Sequence, residues 1–357
     1  MRIAVIGLGL IGGSIGLAAK QRLEAETAGW DLDPSALAAA HARGAIDVQS
    51  RSIAQAIETA DAAFVAAPVG ALPELIAEVL KRAPDTCVVS DVGSTKRAIV
   101  AAQDDQRFVG GHPLAGAETS GIEHARADLF DGATWYLTPT ATTSGILYER
   151  LYRLLSSLGA RPVAIDAADH DAILALVSHL PHVLANVLVD QASTALGADG
   201  ERLPATGPSF RDATRVAGAS SSIWTDIYLS NRDALIAAIE MTIDRLGSVR
   251  SALRTGDPAA ITSWNEDAAT ARRRLAAAEV ASGTALHELR VTVPNQPGVV
   301  AQIALGLGRG GVNIVDLALH PAPDMTEGVV ALWLAGTDTA ARAEQIIGGL
   351  GFQVFRP

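Results

Sequence analysis

The chain has 357 residues, 49% of them hydrophobic, which is too long for one ordinary core and enough for two or three domains. Lys and Arg number 28 against 39 Asp and Glu, a formal charge of −11, which argues against a nucleic-acid or anionic-membrane surface. An anionic substrate would therefore need locally placed arginines. The single cysteine, Cys87, lies in an apolar stretch and suits a reducing cytoplasm, and the start of the chain lacks a signal-peptide cleavage pattern, so a cytoplasmic protein is expected.

In chain order, Ile3–Ile6 reads as a short apolar strand. It runs directly into Gly7-Leu8-Gly9-Leu10-Ile11-Gly12 at the mouth of an Ala-rich helix. Gly-x-Gly-x-x-Gly between a strand and a helix is a dinucleotide fingerprint: the backbone turns tightly and the amides from Gly9 to Gly12 face a pyrophosphate. Asp31 closes a second apolar stretch at the distance where a carboxylate accepts from a ribose 2′-hydroxyl, which favours NAD over NADP. Further β-like runs at 62–66, 88–89, 108–109, 135–137 and 162–165 alternate with helical ones. They predict an α/β, Rossmann-type, doubly wound sheet over residues 1–166. Ligands lie beyond the carboxyl ends of such strands, which singles out Pro68, Asp91-Val92-Gly93-Ser94 and Gly110-Gly111-His112-Pro113.

From 167 to 282 strand-like runs disappear, and an all-helical domain is predicted. One helix is expected over about 169–196, a second over about 222–253 closed by Gly256, and a third from Asp257-Pro258 to about 280. Apolar residues on several faces predict a homodimer through this domain. The longest apolar helical stretch, Ile173 to Val189, is interrupted by His179, Pro181, His182 and Asn186 and makes a poor membrane span. After a linker, residues 285–357 read as a small α+β domain of order βαββαβ.

His112, from the first domain, and the histidines of Ser178-His179-Leu180-Pro181-His182, from the second, fall where a reaction could use them. His112 at a strand end is a candidate general base, although isolated histidines also serve as structure. Asp171, Ser178 and His182 share one helical face, a polar stripe suited to a cavity or to satisfied core packing. No thiolate or carboxylate stands at ligand spacing from His179 and His182, so no metal is expected. Arg215 could clamp a carboxylate with Asp212 orienting it, or the two could form a surface ion pair.

Together the glycine loop, Asp91-Val92-Gly93-Ser94-Thr95-Lys96, Gly111-His112-Pro113-Leu114-Ala115-Gly116-Ala117-Glu118, Ser178-His179-Leu180-Pro181-His182 and Asp212-Ala213-Thr214-Arg215 strongly resemble the prephenate and arogenate dehydrogenases of tyrosine biosynthesis. The resemblance covers about residues 1–280. It implies NAD-dependent oxidative decarboxylation of prephenate to 4-hydroxyphenylpyruvate, or of arogenate to tyrosine. By the same resemblance His112 takes the hydroxyl proton and Ser94 orients it. Arg215 clamps a carboxylate, His182 is a second polar contact, Ser178 and His179 line the cleft near the nicotinamide, and Glu118 stands at the substrate entrance. Gly7, Gly9, Leu10, Ile11, Gly12, Asp31, Pro68 and Ser94 are the expected cofactor contacts. Thr119 stands where many relatives have lysine, which leaves the preference between the keto acid and the amino acid open. The last 70 or so residues look like an ACT domain, on Asn295-Gln296-Pro297-Gly298 and Gly311-Val312-Asn313-Ile314, and this implies feedback by an amino acid such as tyrosine.

Two rivals remain on sequence. A β-hydroxyacid dehydrogenase would share the glycine loop but is expected to use a lysine in the helical domain, and none occurs between Ala167 and Ser282. A non-enzymatic sensor of NAD and an amino acid explains the outer domains and leaves the histidines and Arg215 without a role.

Overall fold

A computed structural model describes the chain apart from residues 116–118, 120, 197–205, 282–285, 295–298, 300–301, 304–305, 308–309, 311, 313–315, 323–325 and 357, and apart from the side chains of 195–196, 276–281 and 316–321. It forms two compact units, Met1–Gly247 and Ser248–Pro357.

The first unit is built on eight strands: β1 (Arg2–Ile6), β2 (Glu26–Trp30), β3 (Val48–Gln49), β4 (Ala62–Val65), β5 (Val88–Asp91), β6 (Phe108–Pro113), β7 (Thr134–Thr138) and β8 (Arg161–Ala164). Their order is β3-β2-β1-β4-β5-β6-β7-β8, parallel throughout except where β6 meets β7. Strand β1 shows why both faces are covered. Ile3 and Val5 join one apolar cluster, with Ile15, Leu151 and Trp135, while Ala4 and Ile6 join another, with Ile57, Ile76 and Val89. Helices α1 (Leu10–Leu23), α2 (Pro34–Ala42), α3 (Ile53–Ile57), α4 (Leu72–Leu80), α5 (Arg97–Ala101) and α6 (Gly145–Ser157) complete the two layers.

Strand β6 changes partner midway. Phe108 and Val109 pair in parallel with β5, and Gly110 to Pro113 pair antiparallel with β7, His112 opposite Tyr136. His112 therefore lies within a strand, not in the loop after one, and it is buried.

The helical part starts with α7 (Ala167–Leu174), passes through a single π-helical turn at Ala175–His179, and continues as α8 (Leu180–Leu196). The expected single helix is thus widened in the middle, and Pro181 supplies the reason. Proline has no N–H to give to the carbonyl four residues back and its ring would collide with it, so the preceding turn opens, with the Leu180 amide bonding back to Ala175. The Ala167–Thr194 stretch is long and apolar enough to cross a membrane by length and composition alone. Its buried polar residues, His170, Asp171, His179 and His182, are instead taken up by other elements of the same unit.

Beyond it come α9 (Pro208–Thr214), α10 (Ser221–Ser230) and α11 (Arg232–Thr255). The helix expected over 222–253 is two helices, broken at Asn231. That residue leaves helical geometry at φ −112°, ψ 27°, and its carbonyl accepts the Leu235 amide in the first turn of α11.

The second unit contains α12 (Pro258–Ala281), opened as expected by Asp257, whose carboxylate accepts from the amides of Ala259 and Ala260. Strands β9 (Leu286–Pro294), β10 (Asp316–Pro321), β11 (Glu327–Ala335) and β12 (Gln353–Phe355) form an antiparallel sheet of order β10-β11-β9-β12. A helix at Thr337–Gly349 covers it around a core that includes Leu289, Val291, Leu332 and Ile347. Both segments quoted for the ACT resemblance fall largely outside the described residues.

Candidate active site

The glycine turn has the geometry its spacing predicts. Gly7 adopts φ +94°, and a Cβ there would stand 2.1 Å from the Ala66 carbonyl oxygen; one at Gly12 would stand 1.9 Å from the Gly7 oxygen. Nothing lies within 4 Å of a Cβ built on Gly9, and no side chain caps α1, so the first amides of that helix, at Leu10 to Gly12, face open space at its positive end. Asp31 ties this turn to β2: Oδ2 accepts from the Leu8 amide at 2.6 Å and Oδ1 from the Asp33 amide at 2.8 Å. Each oxygen keeps a further lone pair for a ribose hydroxyl. Pro68 is exposed just past the carboxyl end of β4. An uncapped helix start, an open glycine and a carboxylate at the end of β2 fit a dinucleotide.

On the same side of the sheet lies a cavity of about 330 Å³, bounded by Ser94, His112, Pro113, Leu114, Leu174, Ser178, His179 and Trp224 among others. It brings His112, Ser94, Ser178 and His179 together from both parts of the unit. Glu118 lies outside the described residues. Arg215 and Asp212 are exposed at the end of α9 and just beyond it, and do not line this cavity in one copy of the chain.

The protonation pattern follows from the hydrogen bonds. His112 Nδ1 lies 2.9 Å from His170 Nε2, and His170 Nδ1 lies 2.8 Å from Asp171 Oδ1. Although burial alone would raise the Asp171 pKa, the bond from His170 and those from the amides of Arg97 and Lys96 hold it below the usual carboxylate range. An ionised carboxylate only accepts, so His170 carries its proton on Nδ1 and accepts at Nε2. His112 must then donate through Nδ1, which leaves Nε2 as its lone-pair atom. Burial, with His170, Lys96 and His179 adding like charge, pushes the His112 pKa well below 6.5. The ring is therefore neutral at neutral pH and able to take a proton. His170 lies against His112 Nδ1 and is a residue the sequence analysis did not single out; Ser94 shares the cavity with His112, and the described hydrogen bonds include none between the two.

Beneath this pair Lys96 and Asp91 form a fully buried ion pair. Burial lowers the Lys96 pKa and the Asp91 carboxylate resists it. Asp91 also accepts from the amides of Gly93, at 2.8 Å, and Gly111, at 3.0 Å, fixing the backbone on either side of the site.

His182 stacks on Trp224 with ring centres 3.6 Å apart and planes at 11°. Its Nδ1 meets the Tyr228 hydroxyl and lies 3.3 Å from the Asn186 amide nitrogen. Burial lowers the pKa of His182, with the Val216 backbone acting the other way, and burial takes His179 down to about 4. His179 buries an Nε2 that has no hydrogen-bond partner among the described residues.

Two family models match the chain: "Prephenate dehydrogenase, nucleotide-binding domain" over residues 15–164 and "Prephenate dehydrogenase, dimerization domain" over residues 166–265. The chain is 31% identical over 354 residues to a prephenate dehydrogenase of Bacillus subtilis, covering 97% of this chain and 95% of that one. Among solved structures it is similar to the prephenate dehydrogenase of A. aeolicus in complex with hydroxyphenyl propionate and NAD+, with a TM-score of 0.73, 27% identity, and 77% and 98% of the two chains covered. It is also similar to the Synechocystis arogenate dehydrogenase, with a TM-score of 0.68, 26% identity, and 77% and 100% covered. With its glycine turn, its buried histidine pair and matches along most of its length, the chain belongs to the prephenate dehydrogenase family.

Proposed function

We propose that the protein catalyses the NAD-dependent oxidative decarboxylation of prephenate to 4-hydroxyphenylpyruvate. The observation that carries this reading is the geometry at His112: Nδ1 engaged by the His170–Asp171 chain, beside a cavity at the carboxyl end of the sheet.

The glycine turn and Asp31 would hold NAD, which would supply a hydride acceptor for the ring carbon that bears the hydroxyl. His112 Nε2 takes the proton of that hydroxyl as the carbonyl forms, with Ser94 close to the same oxygen. The bond to the ring carboxylate then breaks, its electron pair completes the aromatic ring as the carbonyl oxygen takes the proton back from His112, and CO2 leaves. Ser178, His179 and His182 offer polar contacts to the rest of the dianion. Arg215, with Asp212 orienting it, is the proposed carboxylate clamp, a role that needs the α9 region to approach the cavity these two do not line in one copy; for Glu118, outside the described residues, the family resemblance implies a place at the entrance. The residues divide into a dinucleotide-binding domain (1–166), a helical substrate and dimerisation domain (167–282) and an ACT-like regulatory domain (285–357).

Arogenate is the second reading, supported by the similarity to the Synechocystis enzyme. Absorbance of NADH after mixing the protein with NAD and either prephenate or arogenate separates the two. Turnover with prephenate is expected, and silence with both, despite NAD binding, would overturn the assignment. The protein is further proposed to act in the cytoplasm as a homodimer, supported by the match to the family's dimerisation domain and by exposed Leu176, Leu184, Val187, Leu188 and Ile243 in the helical part. Tyrosine is proposed as an effector at the C-terminal domain; activity unchanged across a tyrosine titration would remove that role.

A further inference from the structure

We infer that Asn231 is a positioning residue that makes His179 a hydrogen-bond donor, through Nε2–H, to an oxygen of the substrate. The inference rests on the reading of the His112 cavity as the substrate site.

Asn231 is buried at the break between α10 and α11, and its amide nitrogen has two partners: the Asp171 carbonyl oxygen at 2.7 Å and His179 Nδ1 at 3.1 Å. The first partner settles which way the amide points. A carbonyl only accepts, so the group facing it must be NH2, and turning the amide over would set two carbonyl oxygens against each other. The second N–H then points at His179 Nδ1, which must accept. The neutral ring carries its one proton on Nε2, and this atom is buried without a partner among the described residues while His179 borders the cavity. A buried donor left unmade is costly, and a substrate carboxylate or carbonyl oxygen is the group that would satisfy it. The result is complementary to the reaction: His112 offers a lone pair where a proton leaves, and His179 offers a proton where a negative oxygen rests.

Asn231→Asp tests this. A carboxylate at this position accepts from His179 Nδ1, reversing the ring. At high pH the neutral imidazole then shows a bare Nε2 to the substrate oxygen, and at lower pH it becomes a cation. Asp171 favours that cation, and His112, His170 and His182 oppose it. The expected result is a KM for prephenate raised roughly ten- to hundredfold at pH 8 and falling as the pH drops towards 6, with kcat less affected. The unaltered protein, whose His179 stays neutral down to about pH 4, shows no such limb. A KM profile parallel to that of the unaltered protein would overturn the proposal. Should the variant fail to fold, 15N NMR of the intact protein decides, with the His179 resonances identified by their loss in His179→Gln. The neutral ring is expected with its proton on Nε2, and a proton on Nδ1 would overturn the inference. NADH formation with the unaltered protein tests the underlying assignment separately.

Discussion

At the scale of single residues, the base proposed at His112 depends on other atoms that decide where its proton sits. Replacing it with Asn should lower kcat by about 10²- to 10⁴-fold while leaving NAD binding intact, measured by steady-state kinetics and cofactor titration. His170→Gln should give a partial loss, because glutamine can still accept from His112 but cannot pass on the negative charge of Asp171. pH acts with a definite sign. The His112 pKa is depressed, so the acid limb of kcat/KM should fall well below pH 6.5, and a limb centred at or above 6.5 would refute the assignment of His112 as the buried base. Stability follows the same sign. His179 binds its proton near pH 4 when folded but near 6.5 when unfolded, so acid favours unfolding. Its share, on the order of 3 kcal/mol, is lost progressively as the pH falls from about 6.5 to 4, and thermal melts across that range check it. His112, the glycine turn and Asp31 were legible in the sequence because their signals are local. His170 and Asn231 were not, since their roles lie in partners 58 and 52 residues away that no periodicity reveals.

At the scale of elements, polar atoms override periodicity in two places. The apolar pattern across residues 222–253 predicts one helix, yet Asn231 spends its side chain on Asp171 and His179, and the helix breaks there. The pattern across 169–196 is also helical throughout, but Pro181 forces a wide turn that brings His179 inward beside His182. The loop after β5 is a third junction. Asp171 captures the Lys96 and Arg97 amides, and the Thr95 hydroxyl lies 2.7 Å from that of Ser230. Lys96 itself was quoted in the sequence only as part of a motif, because nothing in composition marks a lysine as fully buried. Lys96→Met should destabilise the fold by about 3–5 kcal/mol by leaving Asp91 charged and unpaired, a loss visible in urea titration. An unchanged midpoint would mean that the pair is dispensable.

At the scale of the molecule, the doubly wound sheet, the helical region and the small C-terminal sheet were each legible from alternation, its disappearance and its return. How the sheet and the helical region of the first unit share residues was not. Exposed apolar side chains on the helical part predict that melting temperature rises with protein concentration, as association stabilises the folded chain by mass action; a melt independent of concentration over two decades would remove the dimer. The histidine chain also has a consequence for biosynthesis. The ribosome completes the glycine turn, Asp31 and β6 before it makes His170, Asp171, His179 and Asn231. A nascent chain can thus acquire its cofactor cradle early, while the base stays without an assigned proton until the helical segment emerges and docks. Competence for the proposed chemistry is therefore delayed to a late stage of translation.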